Sequence, residues 1–144
     1  EWFVEKAVEV GVDRITPVMT TRTERARLRV DRLDRVAISA MKQSLRHWLP
    51  VIDEPIALDE LLQQALPAQR YFGWCEGEHD SLMARYQPGS DALVLIGPEG
   101  DLTSTEAALL REHGFSAVSL GQARLRTETA ALTACTWMSL ARQR

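Results

Sequence analysis

The stretch 92–131, ALVLIGPEGDLTSTEAALLREHGFSAVSLGQARLRTETAA, constrains the fold more than any other part of the chain. Two short apolar runs, Ala92–Ile96 and Phe115–Leu120, each end in a glycine-bearing loop that opens a helix. A buried run, an amphipathic segment and a second buried run form the βαβ pattern of a parallel sheet. Ligands of open parallel sheets bind outside the carboxyl ends of the strands. The loops Gly97-Pro98-Glu99-Gly100 and Gly121-Gln122-Ala123-Arg124 fall at such ends. The expectation is a pair of loops at neighbouring strand ends, forming a pocket lined by backbone amides and carbonyls. Such a pocket suits a flat polar ring such as adenine.

Local chemistry within the stretch is consistent with this reading. Gly97 and Gly100 permit close approaches that a side chain would forbid, and Pro98 stiffens the loop between them. Thr103 and Glu106 have the spacing of a capping box that starts a helix, and Gly114 is placed to end it. The last helix is predicted from about Thr127 to Arg142. Thr127 and Thr129 are expected to cap it.

Going along the chain, Glu1–Val10 reads as a helix stopped by Gly11. Ile15–Met19 reads as a strand, with Pro17 at an edge or bend. Arg22–Arg29 is a polar connection, and Asp31 is placed to cap a long helix from Arg32 to about Trp48, before Pro50. Residues 51–57 read as a connector, Leu58–Leu66 as a short helix and Arg70–Cys75 as a strand. Ser81–Tyr86 is ambiguous between strand and helical turn.

With 144 residues, 45% hydrophobic and 26% charged, the sequence suits one soluble α/β domain. No apolar run approaches the roughly 18 residues of a membrane helix, and no secretory signal is visible. Cys75 and Cys135 lack paired spacing, so reduced thiols in the cytoplasm are the simplest expectation; Cys75 reads as a buried small hydrophobe. The chain opens on Glu1-Trp2-Phe3 without a methionine, which suggests a piece of a longer protein.

Several chemistries drop out. His47, His79 and His113 show no metal-ligand spacing with the cysteines, so no metal site is expected. There is no GxSxG, Walker A or GxGxxG motif. The net charge of −3 argues against a strongly basic nucleic-acid module. Even so, Arg22, Arg25, Arg27, Arg29, Arg32 and Arg35 crowd one segment with Glu24, Asp31 and Asp34. That strip reads either as an RNA-backbone contact, through Arg22, Arg25, Arg27 and Arg29, or as a solvated face of mixed ion pairs. Trp2, Trp48, Trp74 and Trp137 read as core or dimer-packing aromatics before base-stacking ones.

The residues Ile96-Gly97-Pro98-Glu99-Gly100, Leu120-Gly121 and Leu125-Arg126-Thr127-Glu128-Thr129-Ala130 resemble the knotted SPOUT methyltransferases. Within them the chain is most similar to the family that methylates N3 of a uridine in bacterial 16S ribosomal RNA. Glu1-Trp2, Lys6–Gly11, Thr16-Pro17, Gln43–Arg46 and Leu49-Pro50 extend the resemblance over nearly the whole chain. Two departures are Asp101, where many members carry a second glycine, and Val10, where leucine is usual. The family also has an N-terminal PUA-like RNA-binding domain ahead of the segment matching Glu1, and that domain is not in this sequence.

The resemblance implies one α/β domain over residues 1–144, a mostly parallel sheet flanked by helices with a C-terminal trefoil knot. It also implies S-adenosylmethionine held by three loops, a homodimer, and the small ribosomal subunit as partner. The implied cofactor contacts are Gly73, Trp74, Ile96, Gly97, Pro98, Glu99, Gly100, Leu120, Gly121, Leu125, Arg126, Thr127, Thr129 and Ala130. Arg126 is the candidate for stabilising the uracil anion. Glu128 is the candidate for orienting Arg126 or accepting the proton; an ion pair between the two is the plainer alternative. Rival readings are a knotted methyltransferase acting on another RNA base, and a module that binds donor or RNA without turnover.

Overall fold

The computed structural model describes residues 2–23, 29–45, 49–121 and 125–142. All strand pairs among them are parallel. The sheet that positions the site contains β5 (Gln69–Gly73), β6 (Ala92–Leu95) and β7 (Ser116–Val118), in the order β6-β5-β7. The two apolar runs of the βαβ pattern are therefore not neighbours, contrary to the expectation of adjacent strand ends. Helix α5 (Ser104–Glu112) connects them past β5, the strand between them. The centre of a parallel sheet is covered on both faces. β5 suits it, because consecutive residues Tyr71 and Phe72 are buried in different clusters.

Alternation along the strands sorts side chains onto two faces. Phe72 and Leu95 join Leu58, Leu61, Leu62, Leu102, Ala107, Leu110 and Phe115 on the side of α3 (Leu58–Leu61) and α5. Tyr71 and Val118 join Leu82 and Ala134 on the side of α4 (Leu82–Arg85) and α6 (Thr127–Arg142). A third cluster lies where α1 (Trp2–Val10) and α2 (Val30–Gln43) pack over β3 (Val51–Ile52). α6 also packs on α1: Ser139 Oγ donates to the Val10 carbonyl at 3.0 Å and Arg142 to that of Gly11 at 3.1 Å.

Several local expectations are corrected. Ile15–Met19 is not one strand but two, β1 (Arg14–Ile15) and β2 (Val18–Met19), pairing with β3 and with β4 (Ile56–Ala57). Pro17 has no N–H to continue a ladder. Its carbonyl instead accepts from Ile56 N at 3.0 Å. The 51–57 connector thus supplies two strands too short to show a period.

Asp31 does not cap α2, which begins one residue before it with Arg29 at the cap position and no side-chain cap. Asp31 instead accepts from Arg29 at 3.2 Å and Arg35 at 3.5 Å, an ion-paired part of the arginine strip. α2 ends at Gln43, where Ser44 Oγ donates to the Ala40 carbonyl at 2.7 Å and Leu45 turns left-handed. The remainder of the helix predicted to Trp48, including His47, lies outside the described residues. α3 stops at Leu61, its chain tightening into i→i+3 bonds at Gln63 and Gln64.

The ambiguous 81–86 segment is helix α4, with Ser81 Oγ accepting from Ala84 N at 3.1 Å. α6 has the predicted bounds. Trp2 is half-exposed rather than core, whereas Trp74 and Trp137 pack on the clusters. Cys75 is exposed rather than buried, and burial pushes the Cys135 thiol up to about 11. No helix among the described residues is long and apolar enough to cross a membrane.

Candidate functional site

The carboxyl ends of the three strands converge on Gly73. A Cβ built there would lie 3.3 Å from Leu120 Cδ1 and 3.6 Å from Ile96 Cδ1. The side chains leaving β6 and β7 thus close over the end of β5 because that position carries none. Trp74 follows, its amide donating to the Val118 carbonyl at 3.2 Å. Its ring faces Phe72 at 6.1 Å between centroids, tilted by 57°. The Trp74 ring is therefore an extension of the core, as its plainer reading had it. Beyond β7, Gly121 turns at φ 116°, and its backbone is tied to the Ser119 hydroxyl at 3.0 and 3.2 Å. Gln122, Ala123 and Arg124 lie outside the described residues.

The Gly97–Gly100 loop is rigid for reasons visible in its bonds. Asp101 N donates to the Pro98 carbonyl at 2.8 Å, closing a turn. Asp101 itself is left-handed, at φ 65°, where Asp is better tolerated than most side chains. Its Oδ1 accepts from Leu102 N at 2.8 Å, so the carboxylate turns back on the loop and does not line the pocket described below. Thr127 Oγ1 donates to the Gly97 carbonyl at 3.1 Å. Thr127 therefore ties the last helix to the second loop and does not cap that helix as expected; the Arg126 carbonyl receives Ala130 N at 2.8 Å. Thr129 also sits within α6, its carbonyl accepting from Thr133 at 2.8 Å.

Arg22 crosses from the other end of the sequence onto this loop. Its Nη1 donates to the Gly100 carbonyl at 2.7 Å. Its stem packs over Gly100, its Cδ 3.3 Å and its Cβ 3.5 Å from where a Gly100 Cβ would stand. The preceding residue explains the docking: Thr21 N donates to Glu106 Oε2 at 3.0 Å. Glu106 Oε1 meanwhile accepts from Thr103 N at 2.9 Å in the predicted capping box. Burial pushes the Glu106 carboxyl up, but the bonds from Thr103 and Thr21 outweigh it and hold the group below its ordinary range.

A carboxylate with a depressed folded-state pKa contributes stability that is present above its unfolded value and lost as pH falls. Glu106→Gln should therefore cost about 1 kcal/mol near neutrality. It should also flatten the acid limb of stability below about pH 4.3, the ordinary glutamate value. Urea titrations across that range check both effects.

Arg22, Pro98, Glu99, Gly100, Thr127 and Glu128 line an open pocket of about 200 Å³. It gathers one residue of the arginine strip, three of the GPEG loop and two from the start of α6. Glu99 makes no hydrogen bond or ion pair with the described residues. Arg126 is exposed, does not line the pocket, and forms no ion pair with Glu128. Leu125 and Ala130, at the two ends of the 125–130 segment, are half-buried. Of the expected RNA contacts, Arg29 is paired with Asp31, while Arg25 and Arg27 lie outside the described residues. Among the described residues no group of three potential metal ligands comes together.

A family model described as an RNA methyltransferase domain matches residues 1–139. The chain belongs to that family. The probable rRNA-methyltransferase of Porphyromonas gingivalis is 39% identical with a TM-score of 0.92, covering 99% of this chain and 61% of that one. The ribosomal RNA small subunit methyltransferase E of Neisseria gonorrhoeae, bound to S-adenosyl methionine, is 33% identical with a TM-score of 0.77, covering 95% and 59%. The enzyme of the same name from Rickettsia conorii is 31% identical over 134 residues, 91% of this chain and 55% of the relative. The chain thus spans a little over half the length of these family members. Glu106 and Thr21 were not marked as site residues by sequence. Only the capping box hinted at Glu106, because a box uses one carboxylate oxygen and leaves the other available.

Proposed function

We propose that this chain is the catalytic domain of an S-adenosylmethionine-dependent methyltransferase acting on N3 of a uridine in 16S ribosomal RNA. The observation that carries this reading is the convergence of three strand ends on Gly73, with the GPEG loop locked to α6 through Thr127 and Gly97. Family membership and the donor-bound relative from Neisseria gonorrhoeae support it.

The residues fit the donor. Ile96 and Leu120 close over Gly73, whose missing Cβ lets the three strand ends meet, and the donor's flat ring would lie against the backbone edges of the loops beyond them. Gly73, Trp74, Ile96–Gly100, Leu120, Gly121 and the Leu125–Ala130 segment are the proposed donor contacts, through backbone edges more than side chains. When bound, the donor supplies a methyl on a sulfonium, and the S–C bond breaks as the N3–C bond forms, its electron pair staying on sulfur. The protein's share is position, worth about 7–11 kcal/mol in well-oriented reactions, and a place for the N3 proton. Glu128, on the pocket wall, is the proposed acceptor of that proton.

The trefoil knot, the homodimer, and a further RNA-binding domain ahead of residue 1 belong to the same proposal. Calorimetry with S-adenosylmethionine should show saturable binding, and full-length protein should methylate undermethylated small-subunit particles at a uridine N3. Methyl transfer to a different base would overturn the substrate, and an absence of donor binding would overturn the whole reading.

A further inference from the structure

We propose that Arg22, rather than Arg126, supplies the guanidinium that grips the acceptor base, in the pocket it shares with Glu128. The inference rests on the function proposed above and deepens it. Its first support is size: at about 200 Å³ the pocket is below the roughly 300 Å³ at which sites for drug-sized ligands begin. An open space of that size accommodates one flat base. We place the acceptor base in this pocket, with the donor held by the backbone of the same loops.

Its second support is chemical complementarity. The reacting edge of uracil reads acceptor, donor, acceptor: O2, N3–H, O4. The pocket wall carries one guanidinium, Arg22, and two carboxylates, Glu99 and Glu128. Glu128 can take the N3 proton, while a guanidinium donates to a carbonyl oxygen that gains negative charge as that proton leaves. Among the described arginines, only Arg22 lines this pocket.

Its third support is preorganisation. Arg22 is held by its bond to the Gly100 carbonyl, by the absence of a Cβ beneath its stem, and by the Thr21–Glu106 bond one residue earlier. The bond to Gly100 uses one of the five N–H donors of the fork. A guanidinium already fixed before the base arrives costs little to orient in the transition state. Arg29, by contrast, is paired with Asp31 at 3.2 Å.

The test is single-turnover methylation of small-subunit particles by full-length Arg22→Ala, Arg22→Lys and Arg126→Ala proteins, followed over pH. Arg22→Ala should lose on the order of 10²–10³-fold in the chemical step. Its pH–rate profile should move to higher pH, because the uracil anion has lost its counter-charge, and lysine should restore part of both. Arg126→Ala, at a proposed donor contact, should raise the donor Kd and, at saturating donor, leave the position of the pH–rate profile where the wild type has it.

A phosphate role for Arg22 would instead raise KM and lower the salt slope by about one with kcat unmoved; that result overturns the proposal. A parallel fall in donor affinity and rate with an unshifted pH profile would mean that Arg22 only braces the loop, and also overturns it. Failure of the wild-type protein to methylate would sink the functional reading itself, and is recognisable because it appears before any variant is compared.

Discussion

Phe72→Ala is expected to destabilise the protein by about 3–5 kcal/mol and to lower its thermal midpoint by roughly 10–15 °C. Phe72 is fully buried in the central strand. It joins the cluster built from α3, α5 and the ends of β6 and β7. The Trp74 ring tilts onto it, and the Arg111 guanidinium carbon sits 5.7 Å from its centroid. No single neighbour can fill the space that its removal would leave, because the surrounding side chains come from four elements. The residue also precedes Gly73, so the cavity would open beneath the point where the three loops meet. Urea unfolding and scanning calorimetry give the loss directly. A cost below about 1 kcal/mol would mean that the sheet is not anchored through β5.

The features that sequence displays well are those fixed within one turn or one strand. The Thr103–Glu106 box, the stop at Gly114 and the bounds of α6 were all legible because each is set by residues a few positions apart. The apolar runs gave strands β6 and β7, but their order across the sheet was not legible. Periodicity says that a run is buried and nothing about which run lies beside it. The same limit hid the pairing of β1 with β3 and β2 with β4, where two-residue strands carry no period at all.

At the site, the motif residues marked the loops, yet the partners that shape them come from afar. Arg22 is 78 positions from Gly100, and Thr21 is 85 from Glu106. Arginine-rich composition left open a phosphate-binding strip or a solvated ion-paired face, and docking of a single member against a glycine is a tertiary event that neither reading contains. Asp101 is an instructive departure from the glycine usual there. A left-handed position tolerates Asp, and its own carboxylate satisfies the next amide, so the substitution stays outside the pocket.

Gly97→Ala should weaken donor binding by roughly 10–100-fold, equivalent to ~1.4–2.8 kcal/mol, by moving the second loop as a unit. The added Cβ would stand 3.0 Å from Leu102 Cγ, 3.1 Å from Leu102 N and 3.3 Å from Asp101 Oδ1. None of these can yield cheaply. Leu102 is buried, its amide is held by Asp101, and Asp101 closes the turn on Pro98. The strain must pass to the Gly97 carbonyl, which anchors Thr127, and to Gly100, which anchors Arg22. Calorimetry with S-adenosylmethionine measures the loss, and an unchanged Kd would remove this loop from the donor site. Gly100→Ala provides the contrast within the same loop. Its Cβ would meet the Arg22 side chain, with Cδ nearest at 3.3 Å, and a flexible arginine can swing aside. The loop backbone, which carries the proposed donor contacts, should then keep its place and donor binding survive, while methyl transfer falls because Arg22 is displaced from the base.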